Sequence, residues 1–299
     1  LLQPKTCKTR PVACMRWLAN SDCQALRWPC VKVAPCEKGI AMKNSPWMLL
    51  VVGWRLARLV VHISGAFVCA SVYPALPLPA QRGFLQWWSC GLLNLLNVRH
   101  QHAGQPALAS GAAALLVANH ISWLDIFAIN VITPARFVAK SEVSDWPVVG
   151  WLVQRSGTLF IRRTVRSDTV RVNSQVASLL GQGRAVALFP QGTSAHPEQG
   201  VHFHAPMLQS AISAGAQVQP IAVFYHDPSG GCHAAAAFVD DMSFMQSLWK
   251  IVRTPDLQVT VTYLPTIDAA GQDRREVAAL AQRAVNEALT RHLTLPQAF

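Results

Sequence analysis

The chain has 299 residues, of which 51% are hydrophobic and only 14% are charged, and its formal net charge is +11. Soluble domains usually carry about 25% charged residues, so this composition favours a membrane surface or an anionic lipid as a partner. Nucleic acid is disfavoured, because the Lys and Arg residues are scattered and form neither a stripe nor a mixed basic and aromatic motif.

Residues 1–41 predict a poorly structured extension. The segment shows no sustained periodicity, and the spacings of its five cysteines match no zinc site. It is either an extension of the native protein or an upstream stretch translated through a misplaced start, in which case Met42 begins the functional protein. The later cysteines, Cys69, Cys90 and Cys232, are isolated in sequence, as expected in a reducing compartment.

Residues 42–98 predict an apolar helical segment that associates with a membrane. Residues 48–73 are interrupted only by Arg55, Arg58 and His62, and the unbroken part is shorter than the roughly 20 residues that a spanning helix needs. Because arginines can snorkel toward headgroups, a helix that spans the bilayer and one that lies in its interface both stay open. A cleaved signal peptide would look similar.

A second apolar stretch covers residues 84–98 and contains the pair Trp87 and Trp88, followed by Arg99 and His100. Paired tryptophans beside basic residues are typical of a membrane interface. A buried core helix explains the stretch equally well.

Residues 99–299 predict an α/β domain with a mostly parallel central sheet flanked by helices, because strand and helix patterns alternate with short breaks. The predicted strands are 115–118, 136–139, 158–162, 185–189, 218–225 and 257–264. Proline at a first helical position and glycine after a last one help to place the helices. These are predicted from near Pro147 to just before Gly157, from Ser167 or Asp168 to Gly181, from Ala205 to Ala214, and from Arg274 to Leu293.

The first chemical motif, His120-x4-Asp125, follows the apolar run that ends at Ala118. Residues five apart in one helix point roughly 140° away from each other, so the two side chains can meet only if His120 lies in a turn and Asp125 in the first helical turn. Ser122 and Asp125 also form a capping-box pattern that places Ser122 at the N-cap. Since a capping carboxylate is less free to hold His120, one of the two roles of Asp125 is expected to dominate.

This pair suits proton transfer. If Asp125 accepts a hydrogen bond from one imidazole nitrogen of His120, the other nitrogen becomes more basic and can take a proton from a hydroxyl. No nucleophilic serine is evident in the sequence. The pair therefore favours direct attack by a substrate hydroxyl on an activated acyl group.

Three further blocks follow at strand ends. Residues 157–163 end a strand with Arg162 and Arg163, which suits the binding of a phosphate or another anion. Residues 189–194 join a strand end to a glycine turn whose N–H groups and hydroxyls could hold an anion. The last block is a strand with Pro220 near its start.

In this order and spacing, the four blocks resemble the 1-acylglycerol-3-phosphate O-acyltransferase family of glycerolipid acyltransferases, over about residues 110–225. The resemblance implies that His120 is the general base on the acceptor hydroxyl and that Asp125 orients it. It also implies substrate-binding positions at Gly157, Phe160, Ile161, Arg162, Gln191, Gly192 and Thr193 for the acceptor, and at Pro220 on the acyl side. The implied donor is a thioester of CoA or acyl carrier protein, with no metal or further cofactor.

The chain departs from the family at Gln191, where a glutamate is usual. Losing that charge would weaken any contact to a glycerol hydroxyl or to Arg162, although Glu198 could supply a carboxylate nearby. The acceptor is therefore expected to be 1-acylglycerol 3-phosphate or a phosphate-free lysolipid such as lyso-ornithine lipid. A catalytically silent lipid-binding relative, a secreted hydrolase, and a metal pair at His202 and His204 are weaker alternatives.

A CoA or carrier-protein donor implies a site that faces the cytoplasm from the inner membrane.

Overall fold

The structure is a computed structural model that describes residues 46–110, 113–162, 164–195, 200–239 and 241–294. The predicted extension over residues 1–41 lies outside the described residues, as do Arg163 and Glu198.

Within those ranges one sheet of eight strands forms the centre of the molecule. The strands are β1 (Arg99–Ala103), β2 (Ala114–Ala118), β3 (Arg136–Lys140), β4 (Leu159–Ile161), β5 (Val186–Leu188), β6 (Gln217–His226), β7 (Gln258–Tyr263) and β8 (Ile267–Asp268). Their order across the sheet is β1-β7-β6-β2-β5-β3-β4, and β8 pairs with β6. Only β7 and β8 run antiparallel to their neighbour β6, so the predicted mostly parallel sheet is confirmed.

All six predicted strands are present, but the sequence patterns missed β1 and β8. All five residues of β2 are buried, as expected for a central strand covered on both faces. In contrast, β1 has the sequence RHQHA and is largely exposed. An edge strand of this kind has no apolar periodicity to detect.

The helices form a layer on each face of the sheet. They are α1 (Pro46–Val72), α2 (Leu78–Leu95), α3 (Asp125–Asn130), α4 (Val149–Arg155), α5 (Arg166–Gly181), α6 (Gln209–Ala214), α7 (Phe244–Arg253) and α8 (Arg274–Thr294). One core cluster joins the sheet to α1, α2, α3 and α7, and a second joins it to α5, α6 and α8. The four predicted helices are confirmed as α4, α5, α6 and α8, although the first turn of the third one is a 3-10 helix, Ala205–Leu208.

Helix α1 lies against the α/β domain with one face and exposes the other. Its buried residues are Val52, Leu59, Ala66 and Ala70, and its exposed apolar residues include Leu50, Trp54, Val61 and Val68. In the described part of the chain, the segment Leu49–Ala75 is long and apolar enough to cross a membrane.

Helix α2, which contains most of the second apolar stretch, buries one face in the core and exposes the other. Leu92 and Leu93 are buried in the core, whereas the side chain of Trp87 is 61% exposed. Trp88 stacks on the His62 ring of α1, with ring centroids 5.1 Å apart. The inner face of α2 is therefore core, and its outer face adds to the exposed apolar surface of α1.

Candidate active site

The carboxyl end of the central strand β2 leads into a turn that carries His120, and α3 begins at Asp125. Nδ1 of His120 lies 2.8 Å from Oδ2 of Asp125. The side chain of Asp125 is fully buried, and that of His120 is 22% exposed. The two residues meet in the arrangement that their spacing requires.

Asp125 both closes the turn and holds His120, so the expectation that one role would dominate was wrong. Its Oδ2 atom accepts hydrogen bonds from the backbone N–H groups of Ile121, at 2.8 Å, and Ser122, at 3.0 Å, as well as from His120. The helix starts later than predicted, with Leu124 at the N-cap. Ser122 instead accepts a hydrogen bond from the N–H of Leu124, so only the carboxylate half of the predicted capping box forms.

The second oxygen of Asp125 has its own donor, which was not among the residues predicted from the sequence. The hydroxyl of Tyr225, on β6, donates to Oδ1 of Asp125 at 2.8 Å. Burial raises the pKa of Tyr225 well above its ordinary value, and the adjacent negative charge and hydrogen bond of Asp125 raise it further. The phenol therefore stays a proton donor, and Asp125 is solvated by protein groups on both oxygens.

A period-two pattern in β6 could have located this tyrosine. Ile221, Val223 and Tyr225 belong to the core cluster on the α3 side of the sheet, whereas Ala222 and Phe224 face the other layer. Because β6 pairs in parallel with β2, an inward polar group near the end of β6 lies close to the turn after β2.

Hydrogen bonds from neighbouring segments fix the backbone of the turn. The amide of Asn119 both donates to and accepts from the backbone of Val223, at 2.9 and 2.7 Å, and so extends the pairing of β2 with β6. The N–H of His120 donates to Oε1 of Gln191 at 2.6 Å, and its carbonyl accepts from the N–H of Ala195 at 2.9 Å. The backbone of His120 is thus held in place without any contribution from its side chain.

The imidazole ring is also held by stacking. The ring of Phe189, the last residue before the glycine turn, lies 4.1 Å from that of His120, centroid to centroid, at an interplanar angle of 13°. Phe137 of β3 stacks behind Phe189 at 5.9 Å. Stacking fixes the plane of the imidazole, and Asp125 fixes its rotation within that plane.

The third block forms the other wall of the turn. Within the third block, a hydrogen bond from the N–H of Gly192 to the carbonyl of Phe189 closes the glycine turn. Gly192 has a φ of 83°, which favours glycine. Thr193 is exposed. Ser194 donates its hydroxyl to the carbonyl of Phe238, which ties this block to the loop after β6.

The second block lies on the same edge of the sheet as His120 but farther along it. Arg162 follows β4, which is separated from β2 by β5 and β3, a distance of about 14 Å at the usual strand spacing. Its side chain is 65% exposed, with Nε 3.6 Å from Oδ2 of Asp168. The guanidinium is thus oriented and remains accessible to an anionic group.

Asp168 fixes the end of β4. Its Oδ2 accepts from the backbone N–H of Arg162 at 2.7 Å, and its Oδ1 accepts from Nε of Arg171 at 3.0 Å. The backbone N–H of Arg162, followed by the hydrogen bond and charge of Arg171, lowers the pKa of Asp168 against the opposing effect of burial. Arg171 also donates to the carbonyl of Phe160 at 3.0 Å.

Gly157 has a structural role at the start of β4. It follows the C-cap of α4 with a φ of 80°, and the N–H groups of Gly157 and Thr158 bond back to the carbonyls of Gln154 and Val153, forming a Schellman motif. An added Cβ would lie only 3.0 Å from the guanidinium carbon of Arg136. Ile161, two residues after Leu159 in β4, is buried in the second core cluster.

Similarities to known proteins identify the fold and the family. A model of the acyltransferase family matches residues 98–224. A lyso-ornithine lipid O-acyltransferase of Pseudomonas aeruginosa is 35% identical over 245 residues, which cover 81% of this chain and 93% of that protein. The chain belongs to the acyltransferase family.

Two further similarities agree with that assignment. A 1-acyl-sn-glycerol-3-phosphate acyltransferase of Neisseria meningitidis serogroup B is 36% identical over 185 residues, covering 62% of this chain and 72% of that protein. The crystal structure of the 1-acyl-sn-glycerophosphate acyltransferase of Thermotoga maritima has a TM-score of 0.61 with 19% identity, and the match covers 83% of this chain and 97% of that one. The protein is therefore an acyltransferase with the fold of that enzyme.

Not every position implied by the resemblance lies at the surface of this acyltransferase. Pro220 is buried within β6, opposite Val117 of β2, and lies between the part of β6 that pairs with β8 and the part that pairs with β7. A residue without an N–H suits that break in the ladder. Pro220 therefore acts through the fold of β6 in this structure.

The two histidines of the loop after the third block are neighbours. The rings of His202 and His204 lie 5.0 Å apart in an edge-to-face arrangement. Within the described ranges, no group of three or more His, Cys, Asp or Glu side chains is arranged to hold a metal ion.

Proposed function

We propose that this acyltransferase moves a fatty acyl chain from a thioester of CoA or acyl carrier protein to the free hydroxyl of a lysolipid. The observation that carries the proposal is the hydrogen bond between Nδ1 of His120 and the buried carboxylate of Asp125. A carboxylate accepts but does not donate, so the proton of the neutral imidazole lies on Nδ1. Nε2 then has a free lone pair.

Proton transfer at Nε2 accounts for the reaction. The imidazole takes the proton of the acceptor hydroxyl as its oxygen attacks the thioester carbonyl, and Asp125 stabilises the imidazolium that forms. When the tetrahedral intermediate collapses, the carbon–sulfur bond breaks and the imidazolium returns the proton to the leaving thiolate. The products are an ester and a free thiol, and the proposed transfer invokes no metal or further cofactor.

Arg162 is proposed to bind the acceptor headgroup. It lies on the same sheet edge as His120, and its guanidinium is accessible. A phosphate or carboxylate would form charge-assisted hydrogen bonds there. We therefore propose 1-acylglycerol 3-phosphate as the acceptor, with lyso-ornithine lipid as the second candidate, since the Pseudomonas relative named for that substrate is matched over 93% of its length.

We also propose that α1 lies in the interface of the inner membrane rather than crossing it, with the active site facing the cytoplasm. Near its start, Arg55 donates to the carbonyl of Val252 at 2.7 Å, and farther along Phe67 stacks on Trp151 of α4 at 5.2 Å. Arg55 and Phe67 are about 18 Å apart along the helix. Contacts over that length keep α1 against the domain and leave only its outer face for lipid.

The test is acyl transfer by membranes that contain the protein, with labelled acyl-CoA and either 1-acylglycerol 3-phosphate or lyso-ornithine lipid. His120→Ala and Asp125→Asn should each lower the rate by roughly 10²- to 10⁴-fold, because they remove the base or its orienter. His102→Ala is the matched control, since His102 is an exposed histidine on the edge strand β1.

Each outcome is informative. Equal labelling by wild type and His120→Ala would refute the mechanism. Labelling of only lyso-ornithine lipid would exclude 1-acylglycerol 3-phosphate as the acceptor, and Arg162→Ala would then be expected to raise KM for the ornithine carboxylate headgroup instead. Labelling of neither acceptor by wild type would support the silent lipid-binding alternative.

A further inference from the structure

Almost all of the large apolar side chains that are exposed in the described residues belong to neighbouring elements. Apart from Val170, Leu280 and Leu293, they belong to α1, α2, α7 and the turn 146–148. Extended exposed apolar surface marks contact with a membrane or another apolar partner. Helix α7 and the turn 146–148 are not part of the apolar N-terminal segment and need their own explanation.

Helix α7 has an apolar inner face and an outer face of unusual composition. Leu248 and Ile251 are buried in the core, whereas Met245 and Trp249 on the outer face are 67% and 45% exposed. The other outward residues include Lys250 and Arg253, and the helix sequence FMQSLWKIVR contains no acidic residue. Large apolar side chains together with cations are typical of a helix that lies in a membrane interface.

The turn 146–148 extends this outer face. Trp146 is 36% exposed, and its ring lies 5.9 Å from that of Phe244, at the start of α7. Val148 is 48% exposed and has a φ of 68°, in a tight turn closed by the N–H of Val149 and the carbonyl of Pro147. Positive φ is unfavourable for a β-branched residue, so the backbone holds the apolar side chain of Val148 outward at a cost in conformational free energy.

The outer face of α7 is continuous with α1 on one side. The side chain of Arg55 in α1 donates to the carbonyl of Val252 in the last turn of α7. The guanidinium of Arg253 lies 5.4 Å from the ring centroid of Trp249. A flat boundary that contacts the exposed face of α1 can therefore meet α7 as well, with basic groups placed to contact headgroups.

On its inner side, α7 contacts the catalytic turn itself. The indole N–H of Trp123, between His120 and Asp125 in sequence, donates to the hydroxyl of Ser247 at 3.1 Å. The ring of Trp123 also packs on Phe244, with centroids 5.0 Å apart. Helix α7 thus lies between the outer surface and the turn that holds the proposed base.

We propose that the outer face of α7 and the turn 146–148, together called the α7 surface, form a second contact with an anionic phospholipid bilayer. This proposal rests on the proposed acylation of a lysolipid at His120. The lysolipid leaves the bilayer beside α7 and reaches the catalytic turn at Trp123. The segment before the turn contains two acidic residues, Glu142 and Asp145, and therefore adds no net positive charge. The cations that complement anionic headgroups are Lys250 and Arg253 of α7.

Photo-crosslinking tests the contact directly. A benzophenone amino acid is placed at position 249, 61 or 170 of the full chain, and each protein is reconstituted with vesicles of labelled phosphatidylglycerol and phosphatidylethanolamine. Position 61 reports on the exposed face of α1, and position 170 is an exposed apolar site on the opposite layer. The proposal predicts lipid adducts at positions 249 and 61 and background labelling at position 170.

The three positions distinguish lipid contact at α7 from lipid contact at α1. Adducts at 61 without adducts at 249 would overturn the α7 surface and leave the membrane contact of α1 intact. Background labelling at both positions would overturn the membrane proposal as a whole. A crosslink from 249 to a second copy of the chain, in place of lipid, would also overturn the bilayer as the occupant.

Kinetics test whether the contact serves substrate delivery. Trp249→Glu should raise KM for lysolipid in anionic vesicles by roughly tenfold, because a carboxylate is disfavoured at the apolar boundary. Arg253→Gln should raise it by about fivefold in anionic vesicles and little in neutral ones, since one cation near an anionic surface is worth about that factor. In both variants the KM for a water-soluble short-chain lysolipid should stay within about twofold of wild type, because the substituted side chains contact the bilayer and not the substrate.

Val170→Glu is the matched control, because it adds the same charge on the layer away from the proposed membrane. An equal rise in KM for Trp249→Glu and Val170→Glu would overturn the delivery role, as would an equal rise with soluble and vesicle substrates. Unchanged thermal unfolding in detergent would show that the variants are folded.

Discussion

Replacing Tyr225 with phenylalanine deletes one hydroxyl from the interior and leaves Oδ1 of Asp125 without the donor that lies 2.8 Å away. Both side chains are buried, so water cannot readily take the place of the phenol. A hydrogen bond to a charged group contributes about 1.5–3 kcal/mol. At about 2–4 °C per kcal/mol for a domain of this size, the melting temperature should fall by roughly 3–12 °C.

The Tyr225→Phe substitution should lower the rate of acyl transfer by less, in free energy, than it lowers the stability of the fold. Oδ2 of Asp125 keeps its three donors, among them Nδ1 of His120. The carboxylate therefore stays close to its position, and we expect kcat to fall by about tenfold or less, equivalent to about 1.4 kcal/mol. Thermal unfolding in detergent and acyl transfer at saturating substrate measure the two effects.

Tyr263→Phe is the control for this prediction. Tyr263 is a buried tyrosine on the adjacent strand β7, and its hydroxyl lies 3.5 Å from the carbonyl of Ile129 in α3. A contact that long contributes little. If both variants lowered the melting temperature equally and Tyr225→Phe kept full activity, the hydroxyl of Tyr225 would have no part in holding Asp125.

Three further predictions concern the rest of the site. Gln191→Leu removes the acceptor for the N–H of His120 and should lower the free energy of unfolding, measured in urea, by about 1–3 kcal/mol, whereas Gln191→Glu should lower it by less because an acceptor oxygen remains. Asp168→Asn should destabilise the protein at neutral pH. Because folding lowers the pKa of Asp168, the difference in unfolding free energy between wild type and variant should be full above about pH 5 and vanish as the pH falls through that lowered pKa. A difference that stayed constant with pH would contradict this. Gly157→Ala should lower unfolding stability by more than about 1 kcal/mol, since alanine is strained at positive φ, and an unchanged urea midpoint would refute the structural role of this glycine.

Most of the fold could be predicted from the sequence, because in the buried strands the local apolar pattern matches the position of each strand in the sheet. Residues 114–118 are apolar and lie at the centre of the sheet, and the spacing of His120 and Asp125 allowed only one arrangement for their contact. β1 escaped detection because an exposed edge strand has no apolar pattern to recognise.

The detailed geometry at Asp125 could not be predicted, because it depends on contacts that local sequence patterns do not reveal. Ser122 and Ser243 both begin capping-box sequences, yet only Ser243, at the start of α7, forms a full box with Gln246. The donor to the second oxygen of Asp125 is Tyr225, 100 residues away in the sequence. Long-range polar contacts of this kind become visible only once the strand order is known.

The hydrogen bond between Gln191 and the N–H of His120 has a consequence for how such enzymes are recognised. That contact needs an oxygen at the end of a side chain of glutamate length, and glutamine supplies the oxygen without the charge. A sequence signature that demands a carboxylate at this position would select for charge where this fold requires an acceptor. Searches that accept either residue there, and reject shorter or apolar ones, would retain chains like this one.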